Sequence, residues 1–163
     1  MTVLDVRRDE EALTFTLVAE FDAPPSRVWL VWEDPRRLER WWGPPTWPAT
    51  FDGHDFRVGG RSAYHMTGPD GTEAHGWFAF TVVDAPHRLE FDDGFADERG
   101  EPVATIESTH ATVTFEALGD RTRMTVLSRF TSLDQLHEMA KMGMEEGLRL
   151  SLGQIDAVLA EPS

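Results

Sequence analysis

Apolar and polar residues alternate from Leu13 through Phe15, Leu17, Ala19 and Phe21. This period-two pattern belongs to a strand with one buried face and predicts a first strand over Ala12 to Phe21. Ala23-Pro24-Pro25-Ser26 ends it. Val28, Trp29, Val31 and Trp32 then fall at helical spacing. A second short helix follows, with Asp34 as its cap, Pro35 in its first turn, and Leu38, Trp41 and Trp42 on its apolar side before Gly43-Pro44-Pro45. From Trp47 onward the punctuation is that of an antiparallel meander. Gly59-Gly60 precedes a strand at Arg61 to Met66, Gly68-Pro69-Asp70-Gly71 makes a turn before one at Thr72 to Asp84, and Pro86 separates that from one at Arg88 to Phe95. Pro102 to Ala117 reads as a long strand, and Gly119-Asp120 as a hairpin turn into a last strand at Arg123 to Phe130.

The period then changes to that of a helix. Between Ser132 and Glu161, residues Ala140, Met144, Gly147, Leu148, Ser151, Ile155, Val158 and Leu159 share one face, opposite Glu145, Glu146, Arg149 and Asp156. One long amphipathic helix is predicted, broken or bent near Gly143. Ser132 with Gln135 has the form of a capping box, and Pro162 stops the helix. Sequential hairpins make an antiparallel sheet whose apolar face needs a cover, and this helix is the only long amphipathic one available. The expected class is α+β, with a sheet of about seven strands in the order β-α-α-β6-α. Gly147 and Ser151 sit at the middle of the covering face, where a solid core would place large residues. A glycine inside a helix costs about 1 kcal/mol relative to alanine. Either a neighbouring strand or tryptophan ring approaches closely there, or the helix spans a hollow that holds a ligand.

At 163 residues with 40% hydrophobic content, the chain suits a single domain over 1–163. A formal charge of -14 repels phosphate backbones and anionic lipid, so neither nucleic acid nor membrane is expected as a partner; a homodimer is left open. The absence of cysteine rules out a disulfide framework and a thiolate nucleophile. Met1 to Glu11 is charged and lacks the apolar run of a signal peptide, so a cytoplasmic location is expected. His54, His65, His75, His87, His110 and His137 show no paired ligand spacing, and neither a metal nor any other cofactor is predicted. Asp92-Asp93 and Asp97-Glu98 read as solvated pairs in or beside turns. No phosphate cradle or nucleophile elbow occurs.

Arg40-Trp41-Trp42-Gly43-Pro44, Arg57-Val58-Gly59-Gly60-Arg61, Gly68-Pro69-Asp70-Gly71, Pro86-His87-Arg88-Leu89-Glu90-Phe91, Val113-Thr114-Phe115 and Met142-Gly143-Met144-Glu145-Glu146-Gly147 occur in order along the chain. Together they resemble the bacterial branch of the activator-of-heat-shock-protein-ninety-ATPase-like (AHSA-type) family within the SRPBCC or START-like superfamily. The resemblance implies a helix-grip (Bet v-like) fold, a curved sheet gripping the C-terminal helix with a cavity between them. The superfamily hosts binders and enzymes alike, so fold does not name function.

Family pattern and pleat parity turn Tyr64 and Met66 inward with Ser62, leaving His65 outside. Val113 and Phe115 share a face with Ala111. Parity leaves open whether Trp77 or Phe78 faces inward. Trp29 reads as core and Trp42 as a ligand contact at the mouth, with methionines at the helix bend suited to varied apolar partners. Candidate ligand-binding residues are Trp42, Tyr64, Met66, Phe78, Phe91, Val113, Phe115, Met144, Gly147, Leu148 and Ser151. Three function classes follow. The favoured one is a protein binding a small apolar or aromatic molecule, with no catalytic residue. An enzyme of polyketide-cyclase or dehydratase type would need a convergent acid-base pair, for which Tyr64 and Glu107 are the candidates. Glu107 enters the cavity only if no bulge near Ser108 returns it to water, and the bulge is the reading adopted. A co-chaperone role is implied by the family name alone.

Overall fold

The computed structural model describes residues 2–161; Pro162 lies outside them. Two strands, β1 (Thr2–Asp9) and β2 (Thr14–Phe21), are followed by two short helices, α1 (Pro25–Glu33) and α2 (Pro35–Leu38). A six-strand meander comes next: β3 (Ala49–His54), β4 (Arg61–Thr67), β5 (Glu73–Asp84), β6 (Arg88–Ala96), β7 (Thr109–Leu118) and β8 (Arg121–Arg129). The chain closes with α3 (Leu133–Lys141), α4 (Met144–Leu152) and α5 (Ile155–Leu159). The strands form one eight-stranded antiparallel sheet ordered β1-β2-β8-β7-β6-β5-β4-β3, curved around the C-terminal helices. Bulges between Phe51 and Gly53 and between Phe80 and Val82 add local twist and bending to β3 and β5.

The helix-grip class is therefore as expected, with differences that have physical causes. The sheet has an eighth strand, β1, where only a charged N-terminal segment was expected. A bulge between Val3 and Asp5 interrupts its period, and it lies at the sheet edge, where Arg7 is exposed and Arg8 pairs with Glu145 of α4, so no alternation marks it. The long helix is three segments. Gly143 takes a left-handed φ of 83°, which breaks the helical path near the expected place, and a second break follows at Gly153-Gln154. The strand expected over Pro102 to Ala117 begins only at Thr109; Pro102 makes a single bridge to Ala96, and the residues between form turns.

Local signals hold elsewhere. The Asp34 side chain accepts from Arg36 N at 2.9 Å, with Pro35 in the first turn of α2. Ser132 Oγ accepts from Gln135 N at 3.1 Å, while Gln135 Oε1 accepts from Thr131 N at 2.7 Å, a reciprocal cap one residue wider than the usual box. α1 lies against β7 and β8, where Trp29 meets Phe115 edge-on at 5.3 Å and the Trp32 indole N–H points to Met124 Sδ at 3.5 Å. Trp41 donates to the Val31 carbonyl at 2.8 Å, so two of these indoles bury their polar edge satisfied. His54 links β3 to α1 and β4: its Nε2 donates to Trp32 O at 3.0 Å, and Nδ1 accepts from Ser62 Oγ at 2.7 Å. Burial lowers its pKa, which keeps the ring neutral in this role.

Candidate functional site

Residues on the concave face change size along each strand. Going along β6, Leu89 and Phe91 give way to Asp93; along β7, Phe115 and Val113 give way to Ala111 and Thr109; along β8, Met124 gives way to Val126 and Ser128. On β5, Phe80 and Phe78 give way to Gly76 and Ala74. The small and polar ends sit under α3 and α4, whose contributions are Met139, Met142, Gly143, Met144, Gly147, Leu148 and Ser151. Short side chains below and a glycine above do not meet. They leave a cavity of about 340 Å³, rimmed by Pro44 and Met66 and walled by Trp32, Trp42, Tyr64 and Phe91. A Cβ built on Gly147 would meet nothing within 4 Å, so that glycine serves no close contact and faces open space. The close approach of a strand or tryptophan ring, one of the two explanations for a glycine at this position, is not found there.

The polar groups of the cavity converge on its sheet side. Tyr64 Oη donates to Asp93 Oδ1 at 3.3 Å, joining β4 to β6 across β5. The phenol passes directly over Gly76, where a Cβ would lie 2.4 Å from the Tyr64 ring; only glycine permits that approach. Desolvation pushes the Asp93 carboxyl up from 3.8 to about 7, and the Tyr64 hydrogen bond opposes this only partly. The Tyr64 phenol is itself held well above its usual range, first by burial and then by the Asp93 charge. Trp42 packs edge-on to Phe78 at 4.9 Å; its indole N–H is near enough to influence the Tyr64 phenol yet completes no hydrogen bond. Ser151, 3% exposed, adds a hydroxyl from α4. His75 touches the rim, but its imidazole is directed to Glu73 at 3.4 Å and to His65 on the convex face.

Of the sequence-derived candidates, Trp42, Tyr64, Met66, Phe91, Met144, Gly147, Leu148 and Ser151 are brought together around the cavity. Phe78, Val113 and Phe115 are not; they lie deeper in the core, Phe78 beneath the Trp42 ring and Phe115 beneath Trp29. Phe78 faces inward and Trp77 outward, its indole across Gly94 and the Arg61 guanidinium over its ring at 5.5 Å. Glu107 is exposed in the loop before β7, and its carbonyl accepts from Gln135 Nε2 at 2.8 Å. The Tyr64–Glu107 pair is thus not assembled: β7 starts two residues too late for strand parity to reach Glu107.

Asp93 is not the solvated surface charge that its place beside a turn suggests; it lines the cavity. The strand continues through Asp92-Asp93 to Ala96, so alternation sends Asp92 out to His110 at 2.9 Å and Asp93 in to Tyr64. Its place two residues after the inward Phe91 was the available signal. Trp32 is the other wall residue, which helical spacing alone places on the apolar side of α1 without marking it for the cavity.

The family model for "Activator of Hsp90 ATPase homolog 1-like protein" matches residues 22–160. The chain belongs to this family. AHSA1-like proteins are members of the SRPBCC/START-like superfamily. A solution structure of a protein from Arthrobacter aurescens is 64% identical, with 99% of this chain and 94% of that one covered at a TM-score of 0.93. The crystal structure of protein Ms6760 from Mycobacterium smegmatis is 42% identical, with 99% of each chain covered and a TM-score of 0.90. An AHSA1 protein from Silicibacter pomeroyi is 26% identical over 90% of this chain and 97% of that one, with a TM-score of 0.73. No curated protein matches the chain. No helix among the described residues is long and apolar enough to cross a membrane.

Proposed function

We propose that this AHSA1-family protein binds a small molecule with an apolar or aromatic body in the cavity between the sheet and α3–α4. The observation that carries this reading is Gly147: a helix-destabilising residue at the centre of the covering face, opposite small sheet residues, keeps space open where a larger side chain would fill it. A volume of about 340 Å³ lies at the lower end of the range for small-molecule sites, about 300–1,000 Å³. Aromatic and thioether walls supply non-directional affinity, while the Asp93 carboxyl supplies orientation. The test is titration with prodan, a neutral dye sensitive to its surroundings. Saturable binding with blue-shifted emission is expected, weakened about tenfold or more by Gly147→Leu. Unsaturable binding, or binding indifferent to that substitution, would remove the support for a cavity ligand.

A second reading, an acid–base enzyme of polyketide-cyclase or dehydratase type, is favoured by one observation, the Tyr64–Asp93 contact inside the cavity. A carboxyl with a pKa of about 7 suits proton transfer at neutral pH, and the phenol could donate to a substrate carbonyl. Turnover of a polyketone panel by wild type but not by Asp93→Asn or Tyr64→Phe would select it.

A further inference from the structure

Asp93 is an acid with no basic partner. Its Oδ1 accepts from Tyr64, and no group among the described residues bonds to Oδ2. Among the described residues the cavity lining includes no lysine or arginine, and the one histidine at its rim directs its imidazole outward to Glu73. The neighbouring elements keep their charges elsewhere. On α4, Glu145 pairs with Arg8 at 3.1 Å, and Arg149 lies 4.0 Å from Glu146; His110 of β7 is held by Glu90 and Asp92 on the convex face. A carboxylate enclosed without a counter-charge is costly, and the cost is relieved by a proton or by a cation brought from outside.

The walls suit a cation. Trp32, Trp42, Tyr64 and Phe91 line the same space as Asp93, and aromatic rings attract an ammonium group through their quadrupoles. A chain of net charge -14 also draws cations towards it and repels organic anions. Resting on the small-molecule reading above, we infer that the cavity selects an amine: an ammonium held on the free oxygen of Asp93, carried on an aromatic or other apolar body that fills the space under Gly147. Tyr64 acts as a positioning residue, fixing the carboxyl so that Oδ2 faces the cavity. The raised Asp93 pKa adds a signature. Below about pH 7 the free protein holds a proton there that an ammonium must displace, so binding releases it.

Three probes with a common indole body separate the possibilities: tryptamine as cation, tryptophol as neutral counterpart, and indoleacetate as anion. Isothermal titration of wild type at pH 7.5 should give tryptamine at least about tenfold tighter than tryptophol, and indoleacetate weakest. Tryptamine affinity should rise by up to about tenfold per pH unit between pH 5 and 7 and level off above, with proton release detected by comparing buffers of different ionisation enthalpy, while tryptophol stays flat. In Asp93→Asn the amine preference and the proton release should both disappear with tryptophol binding kept. His75 at the rim remains in that variant, so the difference between the two proteins reports Asp93. Equal affinity for tryptamine and tryptophol in wild type, or a preference that survives Asp93→Asn, overturns the amine assignment and leaves the cavity-ligand reading standing. If no indole probe binds and prodan does not either, both readings fall.

Discussion

The concave face of one sheet is covered in two ways. Under α1 the cover is solid: Trp29 meets Phe115, Trp32 meets Met124, Trp41 packs behind Trp32, and α5 backs α1 with Ile155 and Val158, each of these residues being 5% exposed or less. Under α3 and α4 the cover stands off from the sheet, held by a helix broken at Gly143 and carrying glycine and serine inward. The strands are continuous from one region to the other, so backbone hydrogen bonding does not make the difference. Side-chain size does. Large residues meet across the first region, and small or polar ones fail to meet across the second. The two regions therefore divide the work, with stability concentrated in one and space in the other.

Substitutions should separate the regions by magnitude. The largest effect is expected from Trp41→Ala in the solid half, a loss of about 3–5 kcal/mol in denaturant unfolding, because a fully buried indole leaves a void its neighbours cannot fill. A loss below about 1 kcal/mol would mean that this end is also loosely packed.

Asp93→Asn comes next and has the opposite sign. Well below pH 3.8 the carboxyl is protonated in both folded and unfolded chains, so its titration makes no difference to stability there. As pH rises towards 7 the unfolded chain ionises first, and the folded state loses stability. The full shift sets an upper limit of about 4 kcal/mol, and solvent entering the cavity lowers it, so Asn should add about 2 kcal/mol at pH 8 and progressively less towards pH 4. Chemical denaturation across that range checks it; a gain independent of pH would assign the effect to something other than the proton.

Met144→Ala should cost only about 1 kcal/mol, below the range of about 2–5 kcal/mol for truncating a packed methionine, since one side of its thioether borders open space. Smallest is the stability change in Gly147→Leu. Helix propensity favours the substitution by up to about 1 kcal/mol, and a Cβ there meets no neighbour, so melting should be unchanged or slightly raised while ligand affinity falls. Destabilisation by more than about 1 kcal/mol would show that the half described as hollow is close-packed.

Much of this architecture was legible in local pattern. Alternation marked most strands, Gly and Pro marked their turns, and Asp34 and Ser132 marked helix starts, because each reports on interactions within a few residues. β1 was not legible: its edge position frees one side from any apolar requirement, and its bulge shifts the period. Of the cavity, Gly147 and Ser151 announced themselves as residues too small for their face, and motif order together with parity placed Tyr64 and Met66 inward. Asp93 could not be weighed in the same way. Its environment depends on Gly76 letting Tyr64 lie across β5, on where β7 begins, and on no lysine or arginine among the described residues lining the cavity. A sequence by itself determines which residues share a strand face, since that follows from backbone geometry. Whether a carboxyl on that face meets water, a partner or an empty space depends on groups distant in the chain, and only the tertiary structure decided it.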